Sequence, residues 1–443
     1  MKIQLSDHFT YSKLFRFTLP SIAMMVFTSI YGVVDGYFVS NFAGKTAFAA
    51  INLIMPFVMV LGGMGFMIGT GGTALVSKVL GQRDKATANR YFSMMIEVTL
   101  LLGILLGVLG IVFMEPVARF LKATDEMMAD CVLYGRIVTG FTVTFMLQNV
   151  FQSFLIAAEK PKLGLIATIA AGVTNMVLDA LFVGVFRWGV AGAAVATGLS
   201  QCVGGVFPLI YFLRPNSSLL RFRPARLEWK PILRACANGS SELMSNVSSS
   251  LVSILYNFQL LRYYGENGVS AYGVLMYVQF IFIAIFIGYS IGCAPVVGFH
   301  YGAENHGELK NMLGKSVLLM GIGGIVLTAL AQGLAEPLAH IFVGYDADLY
   351  TLTVHAFRLF SFTFLLAGFN IFSSSFFTAL NNGGVSAAIS FLRTLVFQCA
   401  CILILPELIK VDGIWWSNFI AEIGSFLVSL LFLLGMRKKY RYF

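Results

Sequence analysis

Two carboxylates of this chain stand where carboxylates are costly. Asp35 is the only acidic or basic side chain between Arg16 and Lys45, within an apolar stretch reading FTSIYGVVDGYF. Asp179 lies in a second apolar stretch, four residues after Asn175, so a helix puts the amide and the carboxylate on one face. An acid inside a membrane-length apolar segment must face protein or water and marks a functional site by default. For Asp35 the competing reading is a helix–helix hydrogen bond or an interfacial position. If the helices carrying Asp35, Asn149 and Asp179 converge, two carboxylates share a small cavity of low dielectric, and together they favour uptake of a cation. A proton can fill that role. So can Na⁺ held at Asp35, Asn175 and Asp179, with Thr197 and backbone carbonyls completing its shell. Either cation neutralises the pair, and its release to the other side recharges it, which couples a gradient to helix movement.

Other buried-chemistry candidates are fewer. Glu242 and Glu422 are the acids inside apolar segments of the second half, where they would attract positively charged substrate; for Glu422 a pairing with Arg393 or Arg358 competes. Gln148 beside Asn149 is a further polar candidate for substrate binding. Glu97 sits near a helix end, where a loop-pairing role competes with a channel-facing one. No G-x-x-x-x-G-K-[ST] phosphate loop or H-E-x-x-H motif is present, G-x-S-x-G does not appear in a strand–turn context, and the five histidines are dispersed. No cofactor, metal site or catalytic residue is expected beyond H⁺ or Na⁺ as coupling ion, and an ion gradient must drive any uphill transport.

The elements that position these residues are membrane helices. The chain is 58% hydrophobic and 12% charged, with a mean hydropathy of +0.82, and apolar runs of span length recur throughout. Forty-four glycines suit close helix packing. The six cysteines form no C-x-x-C pair and read as buried thiols. The N-terminus lacks a cleavable leader pattern, so the first apolar segment reads as a retained helix. Helices are expected at about 11–40 (with Pro20 kinking it or marking its start), 48–79, 91–114, 131–158, 163–186, 190–213, 229–264, 270–299, 309–333, 349–380, 385–405 and 413–436.

The two halves repeat. At an offset of 221 residues Gly71 meets Gly292, Gly81 meets Gly302, Glu115-Pro116 meets Glu336-Pro337 and Asn149 meets Asn370. The same offset places Tyr256 opposite Asp35, so the halves differ in chemistry. The expected fold is an all-α polytopic membrane protein. Its twelve transmembrane helices form two six-helix lobes related by a pseudo-twofold axis along the membrane normal. The lobes are 1–213 and 229–443, and the proline- and arginine-bearing stretch 214–228 is the linker between them. With the N-terminus inside, 21 of the 30 lysines and arginines fall on cytoplasmic segments and 6 on outer loops. Both termini are therefore expected in the cytoplasm. The net charge of +9 reflects those loops and does not point to nucleic acid.

The stretches LPSIAMMVFTSIYGVVDGYFVSNFAG, GTGGTALVSKVLGQRD, AAEKPKL, NMVLDALFV and WGVAGAAVATGLSQ resemble the bacterial branch of the multidrug and toxic compound extrusion (MATE) family, across about residues 11–436. That family belongs to a wider group that includes polysaccharide and lipid flippases. The resemblance implies export of cationic or amphiphilic drugs across the bacterial plasma membrane in exchange for H⁺ or Na⁺, with no obligate protein partner. It assigns cation coupling to Asp35 on helix 1, Asn149 (or Gln148) on helix 4, Asn175 and Asp179 on helix 5 and Thr197 on helix 6. Glu242 approximately matches an acid that some relatives carry on helix 7. Two alternatives compete. A lipid-linked glycan flippase needs a basic cleft for phosphate, with Arg136, Arg358 and Arg393 as its candidates. A membrane-embedded enzyme needs a converging nucleophile, base or metal set, which the sequence does not offer.

Overall fold

The computed structural model describes residues 3–443, so Lys2, one of the basic residues assigned to the inner side, lies outside the described residues. Every secondary-structure element among the described residues is a helix. The first half holds α1 (Tyr11–Phe38), α2 (Lys45–Gly81), α3 (Lys85–Phe120), α4 (Asp125–Gly140), α5 (Thr142–Ala157), α6 (Pro161–Asp179) and α7 (Gly189–Leu213). The second half holds α8 (Trp229–Gly302), α9 (His306–Val343), α10 (Ala347–Phe360), α11 (Phe364–Ala379), α12 (Gly383–Phe391), α13 (Gln398–Ile409) and α14 (Asp412–Tyr440). Ten helices among the described residues are long and apolar enough to cross a membrane, and the pair α4 and α5, bent by 55°, makes eleven if it is one span. The chain is thus an all-α polytopic membrane protein.

Several expected boundaries shift for local reasons. The single helix expected at 131–158 breaks at Phe141 into α4 and α5. Pro20 neither starts nor interrupts α1, which runs through it from a Thr10 cap whose hydroxyl accepts from the Lys13 N–H. The expected seventh and eighth helices run on as α8 except at Gly265, whose φ of 63° departs from helical geometry, a conformation glycine adopts at little cost. The stretch 229–264 is helical but is not among the ten apolar spans. All six cysteines are free thiols.

The turns record the repeat in their backbone. Left-handed residues recur as Arg83 and Glu304, Glu159 and Asn381, and Arg187 and Lys410, each pair near the offset seen in the sequence. After the first pair, Asp84 and Asn305 cap α3 and α9 by accepting from Thr87 N and Glu308 N. Backbones meet at one end of the bundle. A Cβ on Gly81 would stand 2.0 Å from the Phe299 carbonyl oxygen, and one on Gly302 would stand 1.9 Å from that of Lys78. Lys78 and Phe299 are themselves related by the offset, so α2 and α8 cross through a self-matching contact that only glycine allows.

The segment after residue 3 lies at that same end, as does Tyr440, which packs on Tyr301. Leu5 N donates to Glu159 Oε1, Phe9 N donates to Glu308 Oε1, and Lys315 Nζ donates to the Phe9 carbonyl. The 214–228 stretch is also strapped down. Arg221, Arg223 and Ala225 donate alternate backbone N–H groups to Asn89 Oδ1, Ser93 Oγ and Glu97 Oε1 of α3. Two residues of extended chain advance about as far as four residues of helix, so the two periods match. Glu97 therefore holds the linker, the loop-pairing role of its two expected ones.

Candidate functional site

α1 lies against α6, and α6 against α7, which brings three sequence-predicted groups together. Asp35 of α1 lies beside Asp179 and Asn175 of α6. Their spacing of one turn points Asn175 and Asp179 the same way, and both are buried, at 2% and 0% exposure. Immediately after Asp179 the helix widens into a π-helical segment, Ala180–Val185, a distortion common at functional sites. Tyr134 of α4, also buried, lies within electrostatic reach of both acids and against Thr197 of α7. Tyr31, one turn before Asp35, reaches Gln148 of α5.

The oxygens of this cluster share one property. Asp35 Oδ1, both carboxylate oxygens of Asp179, Asn175 Oδ1 and Thr197 Oγ1 are buried without a hydrogen-bond partner among the described residues. Two facing carboxylates offer no hydrogen to each other, so proximity gives them no bond. Buried polar groups are normally paired, and an unpaired one is costly. Oxygen donors of this kind are the ligands hard cations take, and carboxylates are also the natural acceptors of a proton.

The other candidates sit elsewhere. Asn149 Nδ2 donates to the Gly62 carbonyl at 3.0 Å, so its amide braces α5 against α2. Glu242 is half-buried on α8, one turn after Gly239, where a Cβ would meet the Met67 carbonyl of α2. No ion pair among the described residues engages it. Glu422 makes the expected pairing with Arg393. Arg393 Nη2 donates to its Oε1 at 2.7 Å, Arg393 Nε donates to Oε1 and Oε2, and Asn370 Nδ2 donates to Oε2 at 2.6 Å. Its carboxylate is thereby fully engaged and almost wholly buried. Arg358 pairs with Glu336 instead.

Tyr31 and Tyr134 were missed from the sequence, because one tyrosine among many in apolar helices carries no periodic signal. Asn370 was in view as the counterpart of Asn149, but its partner on α14 lies outside any local pattern.

A family model, MatE, matches residues 20–181 and 243–402. The multidrug export protein MepA of Staphylococcus saprophyticus is 24% identical over 99% of this chain and 98% of its own length. Among solved structures, MATE in complex with MaL6 superposes with a TM-score of 0.90 at 22% identity, over 96% of each chain. An outward-facing conformation of a multidrug resistance MATE family transporter of the MOP superfamily gives 0.89 at 22% identity, again over 96% of each chain. These structural likenesses establish the fold.

Proposed function

Since the chain belongs to the MatE family of multidrug efflux transporters, we propose that the acid cluster on α1 and α6 is its coupling site. In this reading the protein is a cation-coupled exporter of cationic or amphiphilic organic compounds, and not an enzyme. Asp35 and Asp179 bind the incoming H⁺ or Na⁺. Asn175 and Thr197 supply further oxygens, and Tyr134 closes the cavity from α4. Asn149 acts as a brace. Glu242, unpaired beside α2, faces positively charged substrate, with Gln148 behind Tyr31. The observation that carries the reading is the group of buried oxygens without donors on four residues that share one cluster.

The architecture we propose is twelve spans in two lobes, 1–213 and 229–443, joined by 214–228. The seventh span is 229–264, and both termini face the cytoplasm of a bacterial cell. Support comes from the paired left-handed turns and from the self-matching contact of Gly81 and Gly302. A cleft between lobes pressed together at the inner end opens outward, and cation loss at the cluster favours the opposite state. The flippase alternative is weakened because Arg358 and Arg393, two of its three basic candidates, are neutralised by Glu336 and Glu422.

Ethidium efflux from right-side-out vesicles tests this, with pH and Na⁺ gradients imposed separately on the wild type and Asp35→Asn. Efflux driven by one gradient and lost in the variant supports the coupling site and names the ion. Unchanged efflux in Asp35→Asn removes Asp35 from the mechanism.

A further inference from the structure

Where the linker crosses α3, a groove of about 370 Å³ opens between Arg90, Arg223, Pro224, Arg226 and Glu228. We propose that this groove binds the phosphate-bearing headgroup of an anionic phospholipid. The inference rests on the membrane placement above and not on the transported substrate.

Three observations carry it. The first is charge. Arg90 pairs with Glu228 at 3.1 Å, whereas no ion pair among the described residues engages Arg223 or Arg226. One acid thus faces three guanidinium groups, and a guanidinium fork matches phosphate oxygens in geometry as well as charge. The second is rigidity. The hydrogen bonds from Arg223 N to Ser93 and from Ala225 N to Glu97 fix the linker backbone, so the site needs little ordering when a ligand arrives.

The third observation is direction. Arg90 lies five helical turns before Val108 and three before Leu101, so all three share one face of α3. Leu101, Ile104, Leu105 and Val108 are exposed there, which makes it a lipid-facing stripe. The groove therefore sits in line with the acyl chains, at the level where α3 leaves the hydrocarbon. Next to it Trp229 is 72% exposed, followed by exposed Leu233. An exposed tryptophan beside basic residues is the composition of a membrane interface. A soluble phosphate would use the arginines alone, whereas a phospholipid uses the arginines, Trp229 and the stripe together.

The test uses the full chain in phosphatidylcholine nanodiscs doped with brominated phosphatidylglycerol. Quenching of Trp229 is read as the difference between wild type and Trp229→Phe. Stronger quenching than with brominated phosphatidylcholine at equal doping supports the site. The Arg223→Ala/Arg226→Ala variant should weaken the phosphatidylglycerol preference by roughly 25-fold, taking about fivefold per arginine at an anionic surface. Arg223→Lys/Arg226→Lys should retain part of the preference. Equal quenching by both lipids, or an unchanged preference in the alanine variant, would overturn the proposal. So would displacement of the bromolipid by inorganic phosphate, which would make this a soluble-anion site.

Discussion

Each half of the molecule places acids inside apolar helices, and the two halves treat them in opposite ways. In the second half Glu422 meets Arg393 and Asn370, and every carboxylate oxygen is engaged. In the first half Asp35 and Asp179 meet each other, with an asparagine and a threonine whose oxygens also lack donors. One acid site is thus neutralised by the protein itself, and the other, in the proposed reading, takes up a mobile cation. The paired acid holds α14 against α11 and the Arg393 segment, whereas the proposed reading has a bound cation relieve the cost of the first-half acids.

The sharpest break of this contrast is Asp179→Asn. It removes the charge that must be neutralised in each cycle, and gradient-driven ethidium efflux should fall at least about 100-fold, as for loss of a principal acid–base group. Its melting temperature in detergent should rise, since a buried charge without partners is gone. Arg393→Ala should do the reverse, stripping Glu422 of its partner and costing about 3–5 kcal/mol, read as thermal unfolding. Adding Glu422→Gln should restore most of that loss, because the charge to be paired is then absent. Gly81→Ala and Gly302→Ala should each cost about 1–3 kcal/mol by forcing α2 from α8. Each should also raise labelling of cysteines introduced at that end of the bundle.

The smallest effect lies at a turn. The Asp84 carboxyl is held below the usual carboxylate range, first by the Thr87 hydroxyl and then by the Thr87 N–H. A depressed folded value contributes stability above the ordinary carboxylate range, and that contribution is lost as pH falls through the folded value. Asp84→Ala should therefore lower the melting temperature slightly at neutral pH and not at all in strong acid.

Much of this was legible in sequence because membranes impose few solutions. Helix positions, the repeat and the pairing of Asn175 with Asp179 follow from hydropathy, a fixed offset and one turn of helix. The meeting of Asp35 with Asp179 was conditional on helix convergence, since residues 144 apart have no local reason to touch. The break at Phe141 and the π-helical turn after Asp179 were invisible, because both leave composition unchanged. Asn149 was expected among the coupling residues, and the bond from its Nδ2 to the Gly62 carbonyl has no signature in the sequence. The fate of Glu422 depended on Arg393, which lies 29 residues away on another helix.

The most direct measurement compares Asp179→Asn with Glu422→Gln in proteoliposomes under one imposed gradient, scored by ethidium efflux per folded molecule. Cation coupling confined to the first half predicts that Asp179→Asn abolishes efflux while Glu422→Gln, at a temperature where it stays folded, keeps it. Efflux lost in Glu422→Gln and preserved in Asp179→Asn would contradict the account and move the coupling site to the second half.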